Sequence, residues 1–435
     1  MEEEARIMQP ASVVLRKPSL GERGFVVERL LAPEQAIVAY FARAELTAPR
    51  VERVDLGDAA GRVLAREVEA REDHPSHVRS TMDGFALRSG GGAERTIAGE
   101  VRMGSPAPRA IGPHEALRIP TGGALPEGAD AVIPIEDVDE NGGSIALRAV
   151  VRPGENLTQR GADLRAGERV FGPGRRLGAP ELGVLATLGY DIVDVFARPR
   201  FGIISTGDEL VDPGATLSQG QIRDSNRYAL GASLRAFGAE AVQLPRVRDD
   251  LDALRGGLGA ALESCDGVLL TGGSSVGERD YTPRVVAEFG EPGPIVHGIR
   301  VKPGKPTLLA AVGGKPVIGL PGNPASSLMI LEAVAHPIVI ALTGETHARP
   351  RCVEAVASAP IQGRAGWTWY VPARVGARGT TLVAEPLPLR SSHTSLLSRA
   401  AGYVIVDELR PRIEEGERVS VTLFSCGGAP IESLA

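Results

Sequence analysis

Residues 199 to 346 alternate between short apolar runs and longer segments that have the spacing of amphipathic helices. The apolar runs, which predict buried strands, are Phe201–Ser205, Ala241–Leu244, Gly267–Thr271 and Pro316–Leu320. The intervening segments predict helices that start at Ser225 or Asn226, at Asp249 or Asp250, at Thr282 and at Pro324. Strands that alternate with helices favour parallel pairing, so this part predicts a largely parallel sheet with both faces covered.

The flanking regions have a different pattern. From Arg95 to about Arg152, short alternating runs separated by glycine and proline predict an all-β module. After Ala348, further short runs predict a small β-barrel or sandwich with strands at 353–357, 367–375, 381–384, 402–406 and 418–424. Helical spacing is found over 27–45 and 180–188. One architecture that accommodates this order is a β module inserted into a framework that continues after it.

Composition narrows the class of protein. The chain has 435 residues, which is too long for one core, and a net charge of −6 without a long run of Lys or Arg. That argues against a general nucleic-acid or membrane-surface binder. Three widely spaced cysteines form neither a zinc pattern nor a disulfide framework. The acidic N-terminus lacks the apolar segment of a signal peptide, and Glu332, His336 and Pro337 interrupt the apolar tract 328–342. We therefore expect a soluble cytoplasmic protein.

Lysine is rare in this chain, and its placement is informative. Only four of the basic residues are lysines, and two of them, Lys302 and Lys305, lie three residues apart in Val301-Lys-Pro-Gly-Lys-Pro306. In a chain that otherwise uses arginine, this pair favours a site that needs a compact ammonium group, such as one for phosphate or an oxyanion. The alternative is a chance pair on a surface turn.

A glycine-rich segment follows the strand predicted at 267–271. In Thr271-Gly-Gly-Ser-Ser-Val-Gly-Glu-Arg-Asp280, glycines and serines leave backbone N–H groups free to bind phosphate oxygens. The spacing matches neither a Walker loop nor a dinucleotide fingerprint, and a tight strand-to-helix turn is the alternative.

Acidic residues follow several predicted strands. Asp208 and Glu209 follow the strand 201–205, Asp249 and Asp250 follow 241–244, and Asp280 ends the glycine-rich segment. Their mutual repulsion at neighbouring strand ends predicts a cation, and Mg²⁺ is the simplest choice. The alternative is that some are helix caps, which is expected for at least one of Asp249 and Asp250.

Other turns can likewise be either structural turns or parts of a binding site. In Gly319-Leu-Pro-Gly-Asn-Pro324, prolines restrict the backbone while Asn323 and Ser326 can cap the next helix, whose N-terminus attracts anions. Met82-Asp-Gly84 is a common turn sequence, and Thr121-Gly-Gly and Asn156 to Asp163 are equally open to a turn or a site. The histidines show no metal-ligand spacing.

Together these motifs resemble the molybdopterin molybdenumtransferase family of molybdenum-cofactor biosynthesis. The resemblance covers nearly the whole chain after the first residues, and its specificity comes from eight motifs in the same order. They are Ser80-Thr-Met-Asp-Gly-Phe-Ala-Leu87, Ile119-Pro-Thr-Gly-Gly-Ala124 with Gly128-Ala-Asp130, Arg160-Gly-Ala-Asp163, Ser205-Thr-Gly-Asp-Glu-Leu210, Gly220-Gln-Ile-Arg-Asp-Ser-Asn226, the segment 271–280, the Lys-Pro-Gly-Lys-Pro turn and Gly319-Leu-Pro-Gly-Asn-Pro324.

The resemblance implies a multidomain protein of α/β and all-β parts. Its expected parts are a molybdopterin-binding three-layer α/β domain, a β domain inserted in an elongated framework, and a C-terminal β-barrel. In this numbering the boundaries are a disordered tail at 1–24, the framework at 25–72 and 152–198, the inserted domain at 73–151, the α/β domain at 199–346 and the barrel at 347–435.

The resemblance also implies a reaction and a set of site residues. The reaction is insertion of molybdate into adenylylated molybdopterin with Mg²⁺, releasing AMP, in a homodimer where Asp83 and Thr121 reach the partner's pocket. The implied catalytic residues are Asp83, Glu209, Asp249 and Asp280, of which Glu209, Asp249 and Asp280 would also hold the metal. The implied substrate-binding residues are Thr121, Asp163, Gly272, Gly273, Ser275, Gly277, Lys302, Lys305, Pro321, Pro324, Ser326 and Ser392.

Two other functions fit the same fold. Thr158 and Gly298 stand where family members often have Arg and Lys, and Pro372 stands where a barrel Arg is expected, with Arg374 as a substitute. These departures allow a non-catalytic scaffold that binds partners, including other cofactor-biosynthesis proteins, whereas retention of the acids argues against it. A molybdopterin adenylyltransferase on the same α/β fold is the third candidate, and the additional domains disfavour it.

Overall fold

The computed structural model describes residues 30–272, 281–388 and 390–429, together with the backbone of 432 and 433. The chain forms two compact units. One contains the residues up to Thr47, Arg200–Pro337 and the residues from Pro350 onward, and the other contains Ala48–Pro199 with Ile338–Arg349. The finer division into framework, inserted domain, α/β domain and barrel boundaries stays a prediction.

The first helix, α1, spans Pro33–Phe41. Proline at its first position suits a helix start, and the Gln35 side chain accepts a hydrogen bond from the Ala32 N–H at 3.2 Å. Ala36 and Tyr40, four residues apart, are fully buried. The helix ends four residues before the predicted limit at Glu45, and Pro49 follows a short extended segment.

The unit that contains Ala48–Pro199 is mainly β. Its elements are β1 (Val51–Asp55), β2 (Val63–Leu64), β3 (Val68–Glu69), β4 (Arg79–Ser80), β5 (Gly84–Leu87), β6 (Glu94–Glu100), β7 (Glu115–Ile119), β8 (Ala131–Pro134), β9 (Val138–Asn141), β10 (Ser144–Leu147), β11 (Leu157–Thr158), β12 (Arg169–Phe171), α2 (Ala179–Thr187) and β13 (Ile192–Phe196). Strands β1, β13 and β2 form one sheet, against which α2 buries Leu185.

A second sheet in this unit has the strand order β8-β5-β7-β6-β10-β9. Strand β5, the second in this order, is buried on both faces, because Phe85 and Leu87 enter one apolar cluster while Ala86 enters another. Asp83 immediately precedes this strand. The position of its backbone is therefore set by a strand with no exposed face.

The other unit contains the α/β sheet. Its elements after α1 are β14 (Arg200–Ser205), β15 (Leu210–Val211), β16 (Ile222–Arg223), α3 (Asn226–Phe237), β17 (Glu240–Gln243), α4 (Leu251–Ser264), β18 (Gly267–Thr271), α5 (Thr282–Glu288), β19 (Pro292–His297), β20 (Val301–Lys302), β21 (Leu308–Val312), β22 (Lys315–Leu320), α6 (Pro324–Ile330) and α7 (His336–Thr343). A π-helical turn, Leu331–Ala335, joins α6 to α7.

The sheet order is β17-β14-β18-β22-β21-β19, and only the first four strands are parallel. The prediction of a largely parallel sheet is therefore right for the strands that carry the acidic loops and wrong for the other edge. There, β21 and β22 form a hairpin closed by Gly313 and Gly314, both with positive φ (55° and 79°). Two glycines between apolar runs favour a hairpin turn, and that signal was missed.

The helix from Pro324 to Thr343 is long and apolar enough to cross a membrane by composition. In the fold it is a core element, because 72% of its apolar window is buried inside the protein. This agrees with the expectation that the tract does not span a bilayer.

After Pro350 the chain forms the predicted β structure. Its elements are β23 (Cys352–Ala357), β24 (Ile361–Gln362), β25 (Thr368–Arg378), β26 (Thr381–Pro386), α8 (Thr394–Leu397), β27 (Gly402–Val406), β28 (Arg412–Ile413), β29 (Arg418–Leu423) and β30 (Glu432–Ser433). The main sheet runs β25-β26-β23-β29-β27 and closes through β25 pairing with β27. Of the barrel and the sandwich, the barrel is therefore correct.

A short strand between β19 and β21 of the α/β sheet pairs with the barrel. Strand β20, which contains Lys302, pairs in parallel with β25 through Val301 with Thr368 and Lys302 with Trp369. Arg300, just before β20, forms an ion pair with Glu408 at 3.0 Å. The start of the Lys-Pro-Gly-Lys turn is therefore held by the barrel.

Replacement of Phe85 tests the importance of the doubly covered strand β5. Phe85 is fully buried, so Phe85→Ala should lower the free energy of unfolding by about 3–5 kcal/mol, measured by denaturant titration. The control Val150→Ala removes a side chain that is 87% exposed and should change stability little. Equal effects of the two substitutions would contradict the packing described for β5.

Candidate functional site

Three loops that follow parallel strands meet at Gly272. The loop after β14 contains Thr206, whose N–H donates to the Thr271 carbonyl at 2.8 Å, and Gly272 follows β18. A Cβ on Gly272 would lie 2.4 Å from the Thr206 carbonyl oxygen, and a Cβ on Gly322, in the loop after β22, would lie 3.6 Å from the Gly272 Cα. The φ of Gly272 is +88°. Glycine is needed here both for space and for conformation.

The loop after β22 is also tied to α3. The Asn226 side-chain amide, at the start of α3, donates to the Gly322 carbonyl at 2.8 Å. Pro321 is buried and Pro324 is the first residue of α6. The predicted pocket residues Gly272, Pro321 and Pro324 thus lie at the carboxyl edge of the parallel strands, where open α/β sheets bind ligands.

The acids near this edge have different roles. Asp250 is the N-cap of α4, since its Oδ1 accepts a hydrogen bond from the Ala253 N–H at 2.8 Å. This confirms that one of the pair Asp249 and Asp250 is a cap. Asp208 and Glu209 are exposed at the end of β14. Asp249 is left without the capping role and lines a cavity of about 20 Å³ together with Thr206 and Tyr281.

The electrostatic environment raises the pKa of Asp249. Desolvation is the largest cause, followed by repulsion from Glu209 and then from Asp208, while a hydrogen bond with the Thr206 side chain acts in the opposite direction. Glu209 and Asp249, predicted as neighbours from two separate strand ends, therefore do interact electrostatically. A divalent cation would relieve this repulsion, and the all-oxygen donor set is of the kind that Mg²⁺ prefers.

Arg248 was missed in the sequence-based prediction. Its Nε lies 3.7 Å from Asp208 Oδ1 and 4.0 Å from Asp250 Oδ2, so it offsets part of the negative charge that predicted a cation. The Arg248 side chain is 80% exposed, which limits the strength of both ion pairs. A basic residue directly before two aspartates was the available signal.

The predicted metal ligands are only partly described. Asp280, together with Gly273, Ser275 and Gly277, lies outside the described residues. Among the residues that are described, no group of three or more His, Cys, Asp or Glu side chains is placed to hold a metal ion. Glu209 and Asp249 are thus two acids of a set whose third predicted member is not described.

The lysine turn packs against α6. A Cβ on Gly304, whose φ is +107°, would collide with the Ile330 side chain, and Thr307 Oγ1 donates to the Gly304 carbonyl at 2.6 Å. Lys302 and Lys305 on either side of this glycine are both exposed. Ile330 and Thr307 thus fix the backbone of the turn, while both lysine side chains are exposed to solvent.

The N-terminus of α6 differs from the predicted capping arrangement. Asn323 is the N-cap residue, yet its side chain makes no capping hydrogen bond, and Ser326 is buried. Instead the Ala325 N–H donates to the Ser391 carbonyl, in the barrel loop, at 3.2 Å. Ser326 directly follows Ala325, and the exposed Ser392 directly follows Ser391. Both predicted residues are therefore next to the same hydrogen bond.

Asp83 and Thr121 come together in the unit that contains Ala48–Pro199. The Thr121 N–H donates to Asp83 Oδ1 at 2.7 Å, and the Thr121 backbone and side chain together lower the pKa of Asp83. Ser80 Oγ donates to the Met82 carbonyl at 2.6 Å and supports the turn. Asp83 is therefore an exposed, ionised carboxylate rather than a simple turn residue.

Asp163 has a less defined role. It is exposed, and its backbone N–H donates to the His74 carbonyl at 3.1 Å. The acid that organises this loop is Asp73, which accepts hydrogen bonds from Arg160 Nε at 2.6 Å and from the Ala166 N–H at 2.9 Å. Asp73 was not singled out from the sequence, because its partners lie about ninety residues away.

The raised pKa of Asp249 predicts a pH-dependent stability. A carboxyl whose pKa is higher in the folded than in the unfolded chain makes stability fall as pH rises from 3.8 through the raised value. Asp249→Asn removes this loss. Its melting temperature should match that of the wild type near pH 3 and exceed it at neutral pH.

Magnesium gives a second measurement on the same variant. Millimolar Mg²⁺ should raise the melting temperature of the wild type more than that of Asp249→Asn. Asp58→Asn, an exposed acid of the other compact unit, serves as the control and should keep the wild-type response. An identical pH profile for wild type and Asp249→Asn would contradict the raised pKa.

Gly272 permits a matched glycine test. Gly272→Ala should destabilise the protein by about 1 kcal/mol or more, since the position has a positive φ and no room for a Cβ. Gly256→Ala is the control, because Gly256 lies inside α4 with nothing within 4 Å of an added Cβ, and it should be neutral or stabilising. Denaturant titration compares the two, and equal stabilities would exclude the close loop contact.

Comparison with known proteins assigns these parts to one family. The chain matches the MoeA N-terminal region (domain I and II) over residues 31–189, a probable molybdopterin binding domain over 202–341 and the MoeA C-terminal region (domain IV) over 354–424. The molybdopterin molybdenumtransferase of Bacillus subtilis is 32% identical over 386 residues, covering 86% of this chain and 90% of that protein. The Haemophilus influenzae protein of the same name is 30% identical, covering 86% and 94%.

Solved structures agree with this assignment. The molybdopterin biosynthesis moeA protein of Pyrococcus horikoshii is similar, with a TM-score of 0.76 and 32% identity, over 91% of this chain and 99% of that one. The mixed α/β domain, the β-rich parts and the C-terminal barrel are therefore those of a known multidomain fold. From the ordered motifs, the loop geometry and these similarities, the chain belongs to the molybdopterin molybdenumtransferase family.

Proposed function

We propose that this protein inserts molybdate into adenylylated molybdopterin, releasing AMP and molybdenum cofactor. The observation that carries the proposal is the similarity over nearly the whole length to molybdopterin molybdenumtransferases, combined with the meeting of the strand-end loops at Gly272. Cleavage of an adenylyl phosphate requires negative charge to be neutralised on the transferring phosphoryl group. Acids and ammonium groups at one sheet edge suit that requirement.

Glu209, Asp249 and Asp280 would hold Mg²⁺. When bound, Mg²⁺ would neutralise charge on the phosphoryl oxygens. The raised pKa of Asp249 supports the fit, because its causes are desolvation first and then repulsion from Glu209 and Asp208, and a bound cation would relieve that repulsion.

The chain's own groups then have separate tasks. The backbone from Gly272 through Gly273, Ser275 and Gly277 would bind phosphate oxygens, and Lys302 and Lys305 would bind phosphate or molybdate. Pro321 and Pro324 would shape the pocket beside Ser326 and Ser392. Asp83, ionised and oriented by Thr121, would accept a proton or orient the attacking oxygen.

We further infer a homodimer in the cytoplasm, with Asp83 and Thr121 completing the pocket of a second copy, and Asp163 as a further substrate-binding residue. The exposure of Asp83 and Thr121 to solvent supports this role, since an exposed residue can contact another molecule. The hydrogen bond between them would preorganise the carboxylate before that contact.

The non-catalytic scaffold remains the second candidate, and the departures that motivate it have local explanations. Gly298 has a φ of +82°, a backbone conformation that residues with a side chain rarely adopt, so glycine suits this position better than lysine. Thr158 pairs across strands with Arg79, which places a guanidinium at the neighbouring position. Pro372 is buried in β25, and Arg374 lies 3.5 Å from Glu385. The three departures thus change residues around the site, while the predicted acids are all present in the sequence.

Release of AMP tests the transferase. Purified protein given adenylylated molybdopterin, molybdate and Mg²⁺ should release AMP in a molybdate-dependent way. Asp83→Asn should lower kcat by roughly 10²–10⁴-fold, as expected when a positioned acid–base group is lost. Asp137→Asn, an exposed acid after β8, is the control and should retain full activity.

The rival functions give different outcomes in the same assay. Absence of AMP release at every molybdate concentration would exclude the transferase. Cellular molybdoenzyme activity that survives Asp280→Asn would favour the scaffold. Consumption of ATP with formation of adenylylated molybdopterin would identify the adenylyltransferase.

A further inference from the structure

Glu332 is a buried acid that the proposed site does not use. It lies in the π-helical turn between α6 and α7 and is 8% exposed. Its Oε1 accepts a hydrogen bond from Ser233 Oγ of α3 at 2.7 Å, and its Oε2 accepts one from the Ser425 N–H, just after β29, at 3.1 Å. One carboxylate therefore joins two helices of the α/β sheet to the barrel.

The two hydrogen bonds of Glu332 lie beside a space that side chains do not fill. A cleft of about 270 Å³ separates α3 and α6 from α8 and the segment after β29, and Glu332 is part of its wall. Leu328 and Leu397 line the same cleft from opposite sides. Because side chains do not fill this space, the two hydrogen bonds of Glu332 are a specific part of the contact between the helix and the barrel.

The same helix meets the barrel at a second point, which lies at the candidate site. Seven residues before Glu332, the Ala325 N–H donates to the Ser391 carbonyl. Ser326 and Ser392, each next to one partner of this contact, are among the residues proposed above to bind the substrate. Over seven residues a helix rises about 10 Å, so a rigid helix transmits a shift at Glu332 to the Ser326–Ser392 gap.

The lysine end of the pocket is held differently. Lys302 belongs to β20, which pairs with β25 through backbone hydrogen bonds, and Gly304 packs on Ile330. Neither contact involves Glu332. The backbone pairing of β20 with β25 persists when the carboxylate bridge is lost and keeps the lysine turn attached to the barrel, whereas the barrel loop at 391–392 is held to α6 by the Ala325 contact.

We propose that Glu332 is a positioning residue for molybdate binding, acting through the barrel loop at Ser391 and Ser392. This inference rests on the proposed function, and it adds that molybdate binds beside Ser326 and Ser392. The carboxylate itself does not touch the substrate.

Direct binding measurements on the full-length protein test the proposal. Glu332→Leu, which removes both hydrogen bonds, should raise the dissociation constant for molybdate about tenfold, measured by equilibrium dialysis, and should raise the KM for molybdate similarly. Its dissociation constant for AMP should stay within about twofold of wild type, because the phosphate-binding loop and lysine turn are unaffected. Glu332→Gln can still accept from Ser425 and donate to Ser233, and it should bind molybdate nearly as wild type does.

Two further variants keep the outcome decisive. Glu263→Leu removes an exposed glutamate of α4 and should change neither affinity. Ser233→Ala removes one of the two hydrogen bonds and should weaken molybdate binding by a smaller factor, which decides the matter if Glu332→Leu does not fold.

The failures are distinguishable. Wild-type molybdate affinity in folded Glu332→Leu, or equal weakening of molybdate and AMP, would overturn the positioning role while leaving the transferase intact. A wild-type protein that neither binds molybdate nor releases AMP would overturn the proposed function and this inference together.

Discussion

The close approach of three loops around Gly272 is the constraint on which the site depends. Parallel strands β14, β18 and β22 end at the same edge, and the carbonyl of Thr206 occupies the space that a side chain on Gly272 would need. Because backbone meets backbone there, the groups that follow each strand are brought within reach of one another. A side chain at this point would push the loop of Thr206 and Glu209 away from Gly272. The placement of site residues that lie more than a hundred positions apart in the sequence thus depends on the absence of a side chain at Gly272.

Charge is the second constraint, and the fold balances it only in part. Asp208, Glu209 and Asp249 are close enough for the first two to raise the pKa of the third. Arg248 lies near Asp208 and Asp250, but its exposure leaves solvent to screen both pairs. The remaining negative potential favours a cation at the sheet edge. An anionic substrate binds more favourably once that negative potential is offset. The two exposed lysines would contribute positive charge to this offset in the proposed reaction.

The barrel contributes to the same site through contacts that are local and specific. It pairs with β20 beside Lys302, accepts a hydrogen bond from the first turn of α6, and donates one to Glu332. The cleft beside Glu332 means that these polar contacts are not backed by continuous packing. A domain attached in this way can hold one end of a pocket while the other end is fixed by the sheet.

The sequence by itself determined the class of fold, the order of its elements and the family. Apolar runs of strand length, proline at the starts of α2, α5 and α6, and short alternating strands after 350 are local signals, so they can be read without knowing what packs against what. The motifs around Asp83, Glu209 and Lys302 were recognisable for the same reason. Only the tertiary structure decided which acid caps α4, that β19 and β21 run antiparallel, that Arg248 lies beside Asp208, and that Glu332 joins α3 to the barrel. Each of those depends on groups far apart in the chain, and a local pattern of residues carries no information about which distant partner will satisfy a buried hydrogen bond or a charge.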